Sequence, residues 1–317
     1  MFIFTADGLD GSFPCPRSGG GAYDLMLRHF TLRVLAISAG ATMMLHVSPA
    51  PTTGQPAARR DTSGPHTRVE LIAAPGSAGS SGEMTLALRF RLDPGWHLYW
   101  RNPGDSGGPP TVRWQLPAGW TAAGFEWPVP ERFQLGPIVN YGHTGEVTLP
   151  VRVVGVPAGG PPVTITGEVR WLVCEEVCVS GRGTVAIGWP LPPDDAAQAP
   201  AWGRAIQAAR ARLPRPWPSS WRAQARRSGG QLELQLDPAT PLGRPSVFPI
   251  DQGLVNDAAP QAVEVSGRTS TVRLALSDGA PAAIARFRAV LAFPAGPAYE
   301  VDLPVTSRST APPKPRS

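Results

Sequence analysis

Cysteine is scarce in this chain, with three among 317 residues, at positions 15, 174 and 178. A structural zinc site usually gathers four Cys or His ligands, so two neighbouring thiols leave that reading weak. Lysine is nearly missing, with Lys314 the single instance among 29 basic residues. Long apolar runs are absent as well. The run Val34–Leu45 is shorter than the roughly 18 residues that a membrane-spanning helix needs. No Gly-x-Ser-x-Gly, His-Glu-x-x-His, P-loop or dinucleotide fingerprint is present. Asp105, Glu131 and Glu146 make no convincing acid/base pair.

The net charge is +5 and the sequence pI about 9.6. The excess clusters at Arg59-Arg60 and between Arg204 and Arg227, close to connections, while acids and bases nearly balance from Thr67 to Pro190. No stripe of basic and aromatic residues tracks a phosphate backbone, so nucleic acid is not expected as a partner. A length of 317 residues suggests about two domains. Hydrophobic residues at 42 % suffice for real cores, and 35 Gly with 38 Pro favour β-rich domains over a helical bundle.

Residues from Met26 read as an export signal. Arg28, His29 and Arg33 form a basic start, Val34–Leu45 an apolar core, and Ser48-Pro49-Ala50 a small-residue end. The expected organisation is an upstream extension and signal over 1–50 (signal 26–50), a linker over 51–66, a Cys-bearing sandwich over 67–190, a second linker over 191–200, a second sandwich over 201–306, and a tail over 307–317. Trp202–Leu213 is expected as one short helix.

The fold class follows from period-two patterning. In Met84–Leu92, Met, Leu, Leu, Phe and Leu alternate with Thr, Ala, Arg and Arg, which places one face in a core and the other in water. Residues 111–116, 146–156 and 162–173 are further strands, as are 231–237, 262–267, 271–277, 285–293 and 299–305. Asp93-Pro94-Gly95 and Asn102-Pro103-Gly104 read as turns. Mainly β, with two immunoglobulin-like sandwiches after an N-terminal signal segment, is the expected architecture.

Cys174-Glu175-Glu176-Val177-Cys178 is the sharpest chemical feature. Three intervening residues suit a turn between antiparallel strands, where opposed Cα atoms come within disulfide reach. A loop of about five residues closes with only about 2 kcal/mol of chain-entropy stabilisation, a weak staple for a domain of this size. Three readings stay open at this point: a structural disulfide, a copper(I) site, and a pair that turns over. No Cys-x-x-Cys at a helix start is present to depress a thiol pKa, and Glu175 and Glu176 disfavour a thiolate. Two other segments are dense in functional residue types. Residues 95–110 hold Trp96, His97, Tyr99, Trp100 and Arg101 ahead of a Gly/Pro-rich loop. Residues 125–147 hold Asn140, Tyr141, Gly142 and His143, the last a candidate base or ligand.

The ordered runs GWHLYWRNPGDSGGPP, WPVPERFQLGPIVNYGHTGEVTLPV and VRWLVCEEVCVSG resemble the N-terminal periplasmic region of thiol:disulfide interchange proteins of the DsbD/ScsB type. SVFPIDQGLVNDAAPQ (246–261) resembles the second periplasmic domain of the ScsB-like branch. The resemblance implies an immunoglobulin-like sandwich with a redox-active pair at Cys174 and Cys178, the second attacking partner disulfides, with no cofactor. It implies aromatic residues capping the pair, for which Tyr99, Trp100 and Tyr141 are candidates by segment, with His143 beside them. It implies periplasmic thioredoxin-like partners and, since no membrane domain follows before Ser317, a separately encoded membrane electron-transfer subunit as donor. Two rivals remain: an immunoglobulin-like binding or assembly module with a structural disulfide, and a copper-handling protein using both thiolates with His143 or His97.

Overall fold

The computed structural model describes residues 59–74, 82–294 and 296–307. The expected signal, the linker up to residue 58 and the tail from 308 lie outside the described residues. In chain order the strands are β1 (Asp61–Gly64), β2 (Thr67–Ala73), β3 (Glu83–Leu92), β4 (His97–Gly104), β5 (Thr111–Gln115), β6 (Thr121–Phe125), β7 (Glu131–Leu135), β8 (Ile138–Thr144), β9 (Glu146–Val154), β10 (Val163–Cys174) and β11 (Cys178–Trp189). Helix α1 (Pro193–Ala211) follows. Then come β12 (Arg215–Pro216), β13 (Arg222–Ser228), β14 (Gln231–Asp237), β15 (Ser246–Pro249), β16 (Ala262–Ser266), β17 (Thr269–Ala275), β18 (Arg286–Ala292) and β19 (Tyr299–Ser307).

Strands β1–β11 build two antiparallel sheets, ordered β1-β2-β3-β9-β6 and β11-β10-β4-β8-β7, with β5 beside β10. Their inward faces meet in one core that includes Leu71, Leu86, Leu88, Leu98, Val151, Trp171 and Val173. Strands β13–β19 form a second sandwich. Its continuous ladder folds over because β19 pairs with β18 through Tyr299–Pro304 and with β13 through Val305–Ser307. Leu232, Leu234 and Leu236 of β14 then face Phe287 and Leu291 of β18 across the core. The architecture is the mainly-β, two-sandwich one expected.

Four local expectations are corrected. Most of the stretch 191–200, expected as a linker, is helical, and α1 runs unbroken from Pro193 to Ala211. Pro192 and Pro193 fit a helix start, where a missing N–H costs nothing, and Asp194 and Asp195 complement the positive end of the helix dipole. Its buried residues Asp195, Ala199, Trp202, Ile206 and Ala209 form one helical stripe, of which Ala199, Trp202 and Ile206 join the first core, so α1 packs on the first sandwich. Arg60 fastens it from the other side, pairing with Asp195 at 2.9 Å and lying over the Trp202 ring at 5.2 Å. Because α1 covers the outer face of β2 and β9, the second face of the neighbouring β3 is not in water: Thr85 and Ala87 are buried alongside Leu86 and Leu88. Finally, β1 occupies the end of the stretch expected as the first linker, and Asn102-Pro103-Gly104 is the irregular end of β4 rather than a turn.

The two sandwiches share a third cluster, in which Trp100, Val139 and Tyr141 of the first pack on Phe248 and Val290 of the second. Polar bonds surround it. Arg101 donates to Glu300 at 2.9 Å, Asn102 to the Pro249 carbonyl at 2.9 Å, Tyr141 to Asp257 at 2.9 Å, and Gln252 to the Gly104 carbonyl at 3.2 Å.

Candidate functional site

Strands β10 and β11 form a hairpin in unbroken antiparallel register, from Val163 opposite Trp189 to Cys174 opposite Cys178. The cysteines are therefore the last cross-strand pair before a three-residue turn, closed by Glu175 N–H donating to the Val177 carbonyl at 3.2 Å. They form a disulfide with Cα atoms 4.2 Å apart. The two sulfurs differ in environment. Cys174 is 2 % exposed, whereas Cys178 lies on the surface beside Val177, which is 64 % exposed.

Strand parity decides which side chains reach the sulfurs. Cys174 lies opposite His97 and Val173 opposite Leu98, and directly opposed residues of antiparallel strands share a face. Val173 and Leu98 point into the core, so Cys174, His97 and Tyr99 occupy the other face. Tyr99 is opposite Gly142 on β8, which puts Asn140 on the same face as well. The contacts agree. The Tyr99 hydroxyl lies 3.0 Å from Cys174 Sγ and 3.3 Å from Cys178 Sγ, and Asn140 Nδ2 donates to the Tyr99 oxygen at 3.3 Å. The Ser106 hydroxyl donates to Asn140 Oδ1 at 3.0 Å. Burial raises the Tyr99 pKa, so the phenol keeps its proton at neutral pH.

His97 completes this face. It is 2 % exposed, stacks on Phe133 at 4.5 Å, meets Tyr99 edge-on at 5.3 Å, and leaves Nε2 without a hydrogen-bond partner. Burial lowers its pKa to about 4, so the ring is neutral at physiological pH.

The other expected cap residues lie elsewhere. Trp100 follows Tyr99 and so points to the opposite side, into the contact with the second sandwich. Tyr141 does the same on β8, and its hydroxyl goes to Asp257. His143 lies opposite Leu98, on the inner side of the sheet, 1 % exposed and with neither ring nitrogen bonded. Burial, assisted by the charge of Arg212, lowers its pKa to about 3. Of the four candidates, only Tyr99 touches the disulfide. The sequence points to the segments that hold His97, Ser106 and Asn140, but it assigns no individual role to Asn140 or Ser106 and names His97 individually only as a possible copper ligand. Among the described residues, no group of three or more His, Cys, Asp or Glu side chains gathers as a metal site.

Gly107 covers Tyr99. A Cβ there would fall 2.2 Å from Tyr99 Cζ, and the residue has φ +86°. Gly107→Ala should therefore cost about 1–3 kcal/mol, from backbone strain plus collision with the ring. Combining it with Tyr99→Ala should recover the collision part and leave the backbone part. Urea melts of the four proteins measure this, and strictly additive losses would show that the contact carries no energy.

Comparisons with known proteins bear on this site. Residues 70–187 match the family model described as thiol:disulfide interchange protein DsbD, N-terminal, so the resemblance read from the motifs is shown for that stretch. Among solved structures, the N-terminal periplasmic domain of ScsB from Proteus mirabilis aligns at 21 % identity and TM-score 0.60, over 78 % of this chain and 97 % of that one. A yeast GGA1 GAE domain aligns at 12 % identity and TM-score 0.25, over 40 % of this chain and 94 % of that one. Among curated proteins no match was found. No helix among the described residues is long and apolar enough to cross a membrane.

Proposed function

We propose that the sandwich matching the DsbD N-terminal model is a periplasmic thiol:disulfide interchange module, which passes reducing equivalents to thioredoxin-like proteins through a reversible Cys174–Cys178 disulfide. The observation that carries this reading is the asymmetry of the pair: one sulfur sits at an exposed hairpin tip, and the other is buried against a hydroxyl donor. A structural staple needs no such difference, whereas exchange needs an accessible sulfur and a stabilised leaving group.

In the reduced form, the Cys178 thiolate attacks a partner disulfide, giving a mixed disulfide and a partner thiolate that takes up a proton. The Cys174 thiol then loses its proton and attacks Cys178 Sγ. The intramolecular disulfide forms, and the second partner sulfur leaves as a thiol. Two electrons and two protons pass to the partner. Tyr99 donates a hydrogen bond to Cys174 while that sulfur is a thiolate, and the charge-assisted bond lowers the barrier of the step that forms or releases it. Neutral His97, paired across the strand from Cys174 and with its pKa lowered to about 4, adds no positive charge beside the sulfur. The donor we assign is a membrane-embedded electron-transfer protein or domain, and export to the periplasm is part of the same proposal. No cofactor enters the scheme.

The test is the equilibrium reduction potential of the pair, read in a dithiothreitol series with free thiols trapped by alkylation and counted by mass. The expected value lies among dithiol carriers, roughly −180 to −270 mV. A value below about −300 mV with slow opening would mark a structural disulfide, and the binding-module reading would replace this one.

A further inference from the structure

A disulfide sulfur carries no hydrogen, so in the contact between Tyr99 and Cys174 the phenol must be the donor. Its oxygen then accepts from Asn140 Nδ2 at 3.3 Å. The amide so oriented presents its carbonyl to Ser106, which donates at 3.0 Å. The directions of all three bonds are thus fixed by the chemistry of the last acceptor. Ser106 donates to Asn140, Asn140 to Tyr99, and Tyr99 to Cys174. Hydrogen bonds arranged head to tail polarise one another, so each upstream donor strengthens the bond that reaches sulfur. Asn140 is 0 % exposed, which removes competing water from the middle of the chain. Cys178 receives the same hydroxyl at the longer distance of 3.3 Å, so the relay favours one sulfur over the other.

From this we propose that Asn140 is a positioning residue of the exchange site: by donating to Tyr99 and accepting from Ser106, it holds the phenol hydrogen on Cys174 and makes Cys174 the sulfur that leaves. When a partner thiolate attacks Cys178 Sγ, the Cys174–Cys178 bond breaks and its electron pair stays on Cys174, where the Tyr99 hydrogen bond receives the charge. A bond forms between the partner sulfur and Cys178, so electrons and atoms balance without an added reductant. The residue acts through Tyr99 and touches neither sulfur. The inference rests on the interchange reading of the pair, but its test is independent of the pair's potential.

The experiment follows the thiol–thiolate midpoint of Cys174, from its Cβ chemical shift against pH, in the full chain carrying Cys178→Ser. The other titratable groups around Cys174 are His97 across the strand, Glu175 and Glu176 in the turn, and Tyr99 itself; His97, Glu175 and Glu176 stay intact throughout. Asn140→Leu should raise the midpoint by about half a pH unit or more, a threefold loss of thiolate below the midpoint. Tyr99→Phe should raise it at least as far. In the Tyr99→Phe background Asn140→Leu should add nothing, because its route to the sulfur is already cut. Ser106→Ala, in a partly exposed loop, should shift the midpoint in the same direction by less, and it supplies the test if Asn140→Leu fails to fold. An unchanged midpoint in Asn140→Leu, or in Ser106→Ala where that stands in, would overturn the proposal. So would a shift that adds to that of Tyr99→Phe. A structural-type reduction potential together with the expected midpoint shifts would remove the interchange reading and leave the relay standing.

Discussion

Replacing Cys174 with serine should turn the protein into a trap that holds a thioredoxin-like partner as a stable mixed disulfide through Cys178, while Cys178→Ser should trap nothing. The expectation comes from the unequal burial of the two sulfurs. Cys178 lies on the surface at the hairpin tip and Cys174 is 2 % exposed, so only the former is open to attack or able to attack. On the proposed mechanism Cys174 resolves the mixed disulfide from one strand away. Without it the intermediate has no intramolecular exit, and it should persist until an external thiol reaches it. The readout is non-reducing electrophoresis of each single-cysteine variant after mixing with an oxidised thioredoxin-like domain, followed by mass spectrometry of the linked peptide. Equal trapping by the two variants would contradict the assignment. Trapping by neither would return the disulfide to a structural role.

Acid should destabilise this fold well before ordinary carboxylates protonate. His97 and His143 are buried with pKa values of about 4 and about 3, against 6.5 for a free imidazole. As pH falls through 6.5, the unfolded chain binds protons that the folded protein refuses, so the slope favours unfolding by about 1 kcal/mol per pH unit for each ring. Asp257 opposes them. Burial raises its pKa to about 6 from 3.8, so the folded state binds that proton first and gains stability as pH drops between those two values. From about pH 6 to pH 4, two histidines act against one aspartate, and the balance is a net loss equal to one histidine. Urea midpoints at half-unit pH steps should fall from pH 6.5 downward. His143→Phe should flatten the profile, and Asp257→Asn should steepen it. A parent profile level from pH 7 to 4.5 would mean that the two rings are not buried neutral.

Much of the fold was legible because strands announce themselves by alternation: 84–92 and 231–237 lie where their pattern placed them, and the strand expected over 146–156 runs over Glu146–Val154. Helix α1 was not, because prolines and aspartates that look like a linker also make a sound helix start, and the Trp202–Ile206 stripe only becomes visible once the helix is extended back to Pro193. At the site, the turn between the cysteines could be read from spacing alone. The cap could not be read by segment. Period two was already enough to say that Tyr99 and Trp100, as neighbours on one strand, could not both cover the same sulfur, and it would have nominated His97 in place of Trp100. Asn140 and Ser106 stayed hidden because their contacts join β8 to the loop after β4, a pairing that no local pattern encodes.

Strands β4 and β8 serve two clients at once: ahead of the register shift that follows Tyr99, His97 and Tyr99 of β4 turn to the disulfide, while Leu98 turns to the core and Trp100 to the second sandwich. Such a segment is far less tolerant of a change in length than of a change in letter. A single residue inserted ahead of Tyr99 would send the phenol toward Phe248 and the indole toward the sulfurs, breaking the relay and the inter-sandwich packing together. Chemistry at these positions can drift one residue at a time, but the spacing from His97 to Trp100 is locked by both neighbours simultaneously, so insertions and deletions should be absent there in any functional variant recovered from random mutagenesis.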